Sequence, residues 1–304
     1  MARKRDVVIG VIIAGAFIVA FGMFALIFIS LFSETGGVGF AGIGGDVGVI
    51  EVFGVLDESM GREVIRQLDK WGEGGSVKAL VLHVNSPGGG VAISQEIYDA
   101  INRVRDNGKP VVVSMASVAA SGGYYISCAA DAIVANPGTL TGSIGVIMQF
   151  PTAEGLMEKI GLKLETVKSG ELKDVGSFDR DMTEEEELML RSVVMDTYEQ
   201  FVEVVAEGRG KDREEVYVVA DGSIYTGHQA YNLGLVDSLG GLNEAIHLAA
   251  EMAGLTGEPS VVRPYRREQV GLLDLLGSFS DVAQRVTATV DRGMLGPQVL
   301  YLYQ

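Results

Sequence analysis

A serine between a predicted strand and a predicted helix is the first candidate for chemistry in this sequence. The segment 117–125 contains Ser117 and Ser121, with two glycines directly after the second serine. A β-branched run at 111–113 precedes it and an Ala-rich helical stretch follows. Backbone N–H groups at a helix start favour negative charge, which develops in the transition state of acyl transfer. The segment therefore predicts a nucleophilic serine or, alternatively, a Gly-rich turn with a serine helix cap.

A glycine-rich loop follows the strand predicted at 77–84. Its sequence is Asn-Ser-Pro-Gly-Gly-Gly at 85–90. Ligands bind beyond the carboxyl ends of strands in an open parallel sheet, so we expect this loop and Ser121 at the same sheet edge. The glycines would let backbone N–H groups approach a substrate carbonyl. A tight turn and a phosphate-binding loop are the alternatives, but a P-loop needs Gly-Lys-Ser/Thr, and Val-Ala follows here.

A nucleophilic serine also needs a base. The three histidines lie outside any motif that marks a catalytic histidine; they are His83, His228 and His247. A lysine can act as the base when burial lowers its pKa from about 10.4 towards neutrality. The segment 168–174 offers Lys168 and Lys173, and spacing alone chooses neither. The hydroxyl- and Gly-rich segment 139–146 either lines the site or forms an ordinary turn.

The composition limits the class of protein. The chain has 304 residues, of which 47% are hydrophobic, enough for one large domain or two small ones. A formal net charge of −16 makes it a poor candidate for nucleic-acid binding, which needs basic patches. Cys128 is the single cysteine, so no intrachain disulfide can form, and its apolar surroundings predict a small core residue. No cluster of histidine and cysteine indicates a metal site, and we expect no cofactor.

The N-terminal segment predicts a membrane anchor. Residues 7–32 contain no charged side chain. A segment of this length can form a helix that spans a bilayer. Basic residues at 3–5 place the N-terminus, 1–6, in the cytoplasm and the remaining chain outside. A cleaved signal peptide is the alternative, although its apolar region would be shorter and followed by a small-residue cleavage site. A Gly-rich linker at 33–45 separates the anchor from the rest.

Apolar runs that alternate with helical periods predict an α/β domain over 46–257. Strands are predicted at 46–53, 77–84, 111–115, 132–135, 145–150 and 164–167. Helices are predicted at 62–71, 93–104, 153–160, 183–208, 229–233 and 242–253. This alternation is typical of βαβ units with parallel strands. The tail at 258–304 is partly amphipathic with an apolar end, which predicts docking on a groove, a neighbouring subunit or the membrane surface.

Five segments occur in an order that closely resembles one known family. They are 85–90, 117–125, Thr-Gly-Ser-Ile-Gly-Val at 141–146, Lys-Ser-Gly-Glu-Leu-Lys-Asp at 168–174 with Ser177, Arg180, Met182-Thr183 and Glu185, and the stretch 221–230. Together with the N-terminal anchor they resemble signal peptide peptidase A of the short, single-domain type. The resemblance covers about residues 45–255.

The resemblance implies a fold shared with ClpP and the crotonases, in which ββα units repeat. It also implies a Ser/Lys dyad with Ser121 as the nucleophile and Lys173 as the general base. Lys168 is then structural or lies at the edge of the groove. The N–H groups of Gly89 and Gly122 match the oxyanion-hole positions.

Ser143 matches, less specifically, a hydroxyl that could orient the lysine. In short members of the family the dyad is shared between subunits, which implies a homo-oligomer with a ring or dome shape. The implied function is that of a membrane-anchored serine endopeptidase that degrades hydrophobic peptides such as cleaved signal peptides.

Three other functions remain open for the same motifs. A membrane serine protease of the NfeD-associated type would share fold, dyad and anchor but act on membrane-associated proteins. A crotonase-like acyl-CoA enzyme would use the glycine loops without a nucleophile, and it would need coenzyme A outside the cell. A catalytically inactive scaffold on the same fold is the third, against which the presence of both Ser121 and Lys173 argues.

Overall fold

Eight strands form one largely parallel sheet in the computed structural model, which describes residues 46–264. The strands are β1 Val47–Phe53, β2 Ala79–Ser86, β3 Val111–Ala120, β4 Ala132–Ala135, β5 Leu140–Gly142, β6 Ile224–Thr226, β7 Ser238–Leu239 and β8 Val261–Val262. Their order is β6-β5-β3-β2-β1-β8, with β4 beside β3 and β7 beside β4. All neighbouring pairs are parallel except β5 and β6. The predicted parallel α/β class is therefore confirmed.

Helices connect most of the strands. They are α1 Glu58–Glu73, α2 Val91–Asp106, α3 Gly122–Ser127, α4 Glu154–Ile160, α5 Glu184–Arg209, α6 Arg213–Tyr217, α7 Gly227–Asn232 and α8 Leu242–Met252, with a 3-10 turn at Glu171–Asp174. The longest, α5, begins with a capping box in which Thr183 and Glu186 bond each other's backbone N–H groups. This pair satisfies two of the amides that a helix start leaves without a partner. The spacing of Thr183 and Glu186 predicts this start.

Both faces of the sheet are buried, which explains why the central strands are almost continuously apolar. One core layer lies between the sheet and helices α1, α2, α3 and α5; its members include Ile50, Leu82, Met115, Ile97, Ile101, Tyr124 and Phe201. The other lies between the sheet and α8; its members include Val49, Val81, Val112, Val134, Ile246 and Ala249. The central strands β2 and β3 contribute to both layers, so these two strands are fixed from above and below.

Several predicted elements differ from the structure. The segments 145–150 and 164–167, predicted as strands, have no regular secondary structure, so both predictions are wrong. A strand needs a partner for its backbone groups, and within residues 46–264 neither segment pairs with one. Strand β3 is longer than predicted, and β8 adds a short edge strand beside β1. No helix between residues 46 and 264 is both long enough and apolar enough to cross a membrane; the predicted anchor at 7–32 and most of the tail lie outside the described residues.

The C-terminal part of α5 packs closely on the end of α3. A Cβ atom placed on Gly208 would lie 2.3 Å from the carbonyl oxygen of Cys128. Only glycine fits this contact, because the neighbouring atom belongs to the backbone and cannot rotate away. Gly155 in α4 provides a contrast, since a Cβ atom there would meet no other atom within 4 Å.

We therefore expect Gly208→Ala and Gly155→Ala to have opposite effects on stability. Alanine stabilises a helix by up to about 1 kcal/mol relative to glycine at the same position, so Gly155→Ala should be neutral or slightly stabilising. Gly208→Ala should destabilise by about 1–3 kcal/mol, because overpacking outweighs that preference. Thermal unfolding of both variants measures the difference, and equal midpoints would contradict the close packing of α5 on α3.

Candidate active site

The parallel pairing of β2 and β3 brings two loops to the same edge of the sheet. Ser86 at the end of β2 lies beside Ala119 near the end of β3. The glycine loop 87–90 and the Ser121 junction leave the sheet there, next to each other. A Cβ atom placed on Gly88 would lie 2.8 Å from the Cβ atom of Ser121. The expectation that these two loops share one sheet edge is confirmed.

The backbone of Ser121 has an unusual conformation. Its φ of 52° lies in the left-handed region, which residues with a side chain rarely adopt. The Ser121 N–H donates to the Gly142 carbonyl at 2.8 Å, and the Ser121 carbonyl accepts from the N–H groups of Tyr124 and Tyr125. The Ser121 hydroxyl makes no capping hydrogen bond to α3. Ser121 thus occupies the cap position, but its hydroxyl is not used as a cap and is available for another role. Ser117, the other candidate, lies within β3.

Ser143 shares this backbone feature. Within residues 46–264, Ser121 and Ser143 are the two non-glycine residues with positive φ, at 52° and 51°. Ser143 directly follows Gly142, whose carbonyl accepts from Ser121, and its own N–H donates to the Ser223 carbonyl at 2.8 Å. Residues with a strained backbone cluster at active sites and ligand-binding sites. Ser143 therefore stands one residue from the group that holds Ser121 in place.

The glycine loop places the Gly89 amide next to Gly122. Leu56 bonds both neighbours of Gly89: its N–H donates to the Gly88 carbonyl at 2.9 Å, and its carbonyl accepts from Gly90 N–H at 2.8 Å. In this parallel pattern the N–H of Gly89 itself points away from Leu56. A Cβ atom placed on Gly122 would lie 3.2 Å from the Gly89 nitrogen. The two amides predicted to form the oxyanion hole are therefore neighbours in space.

A cavity of about 120 Å³ opens beside these groups. Its lining comes from four parts of the chain: Gly89, Val91 and Ser94; Ser121, Gly122 and Tyr125; Gly145, Val146 and Ile147; and Thr197, Gln200 and Phe201 of α5. Most of these side chains are apolar, and a cavity of this size holds a small apolar group. The arrangement suits one apolar side chain of a bound peptide, with Ser121 at the cavity wall.

Tyr125 forms a fixed wall of the cavity. Its ring lies 5.1 Å from that of Phe201 and 5.6 Å from that of Tyr98, measured between ring centroids. Burial raises the pKa of its phenol to about 12, so the hydroxyl stays protonated. That hydroxyl donates to the side chain of Gln95. Aromatic contacts of this kind add to the stabilisation from burial, and they fix the position of α3 behind Ser121.

Lys173 does not line the cavity beside Ser121. It stands on the 3-10 turn Glu171–Asp174, its side chain is exposed, and it is absent from the cavity lining. Lys168 is engaged elsewhere, because its ammonium donates to Asp174 at 2.8 Å and to the Glu171 carbonyl at 2.9 Å. The structure therefore brings Ser121, Gly89 and Gly122 together but not Lys173.

The other titratable groups singled out from the sequence lie away from the cavity. His83 is half-buried in β2 against the ring of Phe53, and burial lowers its pKa. His228 lies in α7 and His247 in α8. Cys128 is 1% exposed, and burial raises its pKa to about 12, which confirms it as a core residue rather than a reactive thiol. Within residues 46–264 no group of three or more His, Cys, Asp or Glu residues is placed to hold a metal ion.

Comparison with known proteins matches this site to a family. The model of peptidase family S49 matches residues 103–256, half of the chain, and includes Ser121, Ser143 and Lys173. The chain belongs to peptidase family S49. The model of Clp protease matches residues 46–138, which contain Gly89 and the Ser121 junction, in agreement with a ClpP-like sheet. As an S49 member the protein is a serine peptidase, a hydrolase of peptide bonds.

Individual relatives agree with this membership. A protein of Synechocystis sp., provisionally named a protease, is 44% identical over 206 residues, which cover 68% of this chain and 74% of the relative. A provisionally named signal peptide peptidase SppA of Enterococcus faecium is 41% identical, over 68% of this chain and 60% of the relative. Protease 4 of Haemophilus influenzae is 36% identical, over 71% of this chain but only 36% of its own length. This S49 chain thus spans about a third of the length of the larger relative.

No sequence motif indicates that α5 contributes to the candidate active site. Its residues Thr197, Gln200 and Phe201 line the cavity. The helical period of α5 indicates Phe201 as an apolar position, which predicts core packing and nothing more. Ser94 is a second omission: its hydroxyl donates to the Gly90 carbonyl at 2.8 Å and supports the glycine loop. Only the packing of α2 and α5 around the Ser121 junction reveals either contribution.

We expect Gly89→Ala to disrupt the site without a change at Ser121 itself. A Cβ atom on Gly89 would lie 2.2 Å from the Leu56 carbonyl oxygen, so the loop must move and carry its amide with it. Loss of one oxyanion donor lowers kcat by about 10²- to 10³-fold in comparable enzymes. Hydrolysis of a model peptide measures the effect. Gly138→Ala is the matched control, since a Cβ atom there meets nothing within 4 Å; equal activities would show that the Gly89 amide is not needed.

Proposed function

We propose that this S49 peptidase is a membrane-anchored serine endopeptidase that uses Ser121 and Lys173 to degrade hydrophobic peptides such as cleaved signal peptides. The convergence of Ser121 with the Gly89 and Gly122 amides at one apolar cavity is the observation that carries the proposal. Relatives named signal peptide peptidase and protease 4 support the substrate class.

In the proposed mechanism Lys173 is the general base. Its neutral amine takes the proton of the Ser121 hydroxyl as Ser121 Oγ attacks the peptide carbonyl carbon. The N–H groups of Gly89 and Gly122 donate to the resulting oxyanion, each worth roughly 3–4 kcal/mol in comparable sites. When the tetrahedral intermediate collapses, the Lys173 ammonium returns its proton to the leaving amine. Water then attacks the acyl-enzyme with Lys173 again as base, which releases the second product. Ser143 would orient the lysine through its hydroxyl.

The dyad is proposed to form between two subunits. Lys173 is exposed and is not among the residues that line the cavity of its own chain, so a second copy is the proposed partner that brings it to Ser121. Large apolar side chains remain exposed on the segments before and after its turn; among them are Ile147, Leu156, Ile160, Val167, Phe178 and Leu188. Exposed apolar surface of this extent is typical of interaction sites. Contact between copies would also remove Lys173 from water, which favours a neutral amine.

The finer architecture is also part of the proposal. The resemblance that implies repeated ββα units of the ClpP and crotonase type is supported by the largely parallel sheet and the match to the Clp protease model. The uncharged stretch 7–32 supports a membrane anchor with its N-terminus in the cytoplasm and the peptidase domain outside. Such a location would place the apolar cavity close to membrane-derived peptides.

The proposed dyad predicts which residue a probe labels and which variants lose activity. We expect a fluorophosphonate probe to label Ser121, and we expect Ser121→Ala and Lys173→Ala each to lower peptide hydrolysis by about 10⁴-fold or more, as loss of a nucleophile or its base does. If two subunits share the dyad, co-expression of these two inactive chains should restore part of the activity, because mixed assemblies contain Ser121 beside an intact Lys173.

Lys163→Ala supplies the control for this experiment. Lys163 is another exposed lysine, ten positions before Lys173, and no hydrogen bond or ion pair engages its side chain among residues 46–264. Its replacement should leave hydrolysis at the wild-type rate. An unlabelled Ser121 would overturn the peptidase site, whereas labelling without restoration in mixed assemblies would overturn only the sharing between subunits.

The substrate class predicts a preference between two peptides. We expect an isolated signal peptide to be cleaved faster than an acidic, polar peptide of equal length, because an apolar side chain gains by entering the cavity. One additional methylene group in an apolar pocket changes the ratio of kcat/KM between two substrates by about ten-fold or more. Mass spectrometry of the products gives the rates and the cleavage positions. Faster cleavage of a membrane-protein segment than of the signal peptide would favour the NfeD-associated alternative instead.

A further inference from the structure

The turn that contains Lys173 has little apolar packing to hold it. None of the residues of Glu171–Asp174 is buried. Its backbone contacts are local: the Lys173 N–H donates to the Gly170 carbonyl at 3.1 Å, and the Ser177 N–H donates to the Asp174 carbonyl at 3.0 Å. A catalytic base must be held within a fraction of an ångström to act efficiently. Some other contact must therefore fix this turn.

A chain of ion pairs supplies that contact. Asp174, the residue after Lys173, accepts from Arg180 at 2.9 Å and from Lys168 at 2.8 Å. Arg180 also donates through both terminal nitrogens to Glu186. Lys168 closes the turn on its other side by donating to the Glu171 carbonyl at 2.9 Å. The guanidinium of Arg180 thus bridges two carboxylates, one beside the predicted base and the other on α5.

Glu186 anchors this chain to the longest helix. Its side chain is 2% exposed and accepts from the Thr183 N–H at 2.9 Å in the capping box of α5. The hydrogen bonds from Arg180 lower the pKa of both Asp174 and Glu186 to about 2, so both carboxylates stay charged at any pH where a peptidase would act. The bidentate geometry suits arginine, whose rigid fork a lysine cannot reproduce.

Helix α5 also reaches the cavity of the same chain. Gln200 lines that cavity, and about 20 Å of helix separates it from Glu186 at 1.5 Å per residue. The N-terminal turn of α5 therefore holds the lysine turn, while its middle forms part of the Ser121 cavity. A helix is stiff over this length, so it fixes the spacing between the two.

We propose that Arg180 is a positioning residue for the general base: it fixes the Lys173 turn to the start of α5, and α5 thereby sets where its subunit presents Lys173. This inference rests on the proposed role of Lys173. In an assembly that shares its dyad, each α5 then joins the nucleophile of one site to the base of the next. Arg180 acts through the turn and touches neither substrate nor Ser121.

The first test is Arg180→Met in the full chain. We expect kcat for a model peptide to fall about 10- to 100-fold, as misplacement of a catalytic group by an ångström can produce, with KM changed by less than about two-fold because the cavity is intact. Arg180→Lys keeps the charge without the fork and should lose less activity. Arg191→Met is the matched control: Arg191 pairs with Glu187 on the same helix, but both side chains are more than half exposed, and wild-type kcat is expected.

Mixed assemblies separate positioning from a general structural role. In assemblies of Ser121→Ala and Lys173→Ala chains, Ser121→Ala chains supply the working lysine. Arg180→Met should lower the restored activity strongly when placed on those chains and much less when placed on the Lys173→Ala chains. Equal losses in the two arrangements would overturn the positioning role, since a folding or assembly defect affects both alike.

Two further outcomes are distinguishable. If mixed assemblies stay inactive, the shared dyad of the proposed function fails, and kcat of Arg180→Met in the otherwise wild-type chain decides the positioning role: a wild-type value overturns it. If Arg180→Met does not fold, Asp174→Asn removes the other end of the same contact. We then expect kcat to fall about ten-fold with KM retained, and wild-type kcat would overturn the inference.

Discussion

The site depends on the parallel pairing of β2 and β3. Because the two strands run in the same direction, their carboxyl ends meet at one edge, and the Gly-rich loop of β2 lies against the Ser121 junction of β3. An antiparallel pair would place these loops at opposite ends of the sheet. The two core layers hold this pairing from both faces. Close packing of this kind resists deformation, so the positions of the Gly89 amide and Ser121 follow from the sheet.

The two residues of the proposed dyad, Ser121 and Lys173, are held in place by different kinds of contact. Ser121 is fixed by backbone contacts: its N–H donates to Gly142 in β5, and its carbonyl accepts from the first turn of α3. Lys173 is fixed through side chains, by way of Asp174 and Arg180 to the start of α5. Backbone contacts resist most substitutions, whereas an ion-pair chain depends on each member. We infer that the geometry of the base is more sensitive to single substitutions than that of the nucleophile.

Local sequence signals predict the helices and strands of this fold better than they predict which of these elements pair or pack with each other. The β-branched run at 111–113, the glycines of 85–90 and the capping box of α5 each act through neighbouring residues, so their consequences can be read from the sequence. The segment 145–150 has the apolar composition of a strand, but it lines the cavity edge without a pairing partner among the described residues. Tertiary context decides such segments.

The candidate site shows the same division. Motifs in the sequence indicate Ser121, the proposed nucleophile, and the glycine amides, and the structure places these groups together. The contribution of Phe201 comes from packing between segments far apart in the chain. The role of Arg180 comes from side-chain contacts with Asp174 and Glu186, each six residues away, which no local pattern specifies. That Lys173 does not line the cavity of its own chain cannot be read from the spacing between 121 and 173.

The choice of Ser121 over Ser117 has a physical argument beyond the resemblance. Ser117 continues the extended backbone of β3, where any residue is tolerated. Ser121 and Ser143 both hold positive φ, a conformation that costs a residue with a side chain of order 1–3 kcal/mol and that glycine adopts freely. Glycines are abundant in the neighbouring loops, so glycine would be the less costly residue at either position. A hydroxyl that stands at a position of this cost supports the proposed chemical roles, the nucleophile at Ser121 and the orienting group at Ser143, one residue from the contact that holds Ser121.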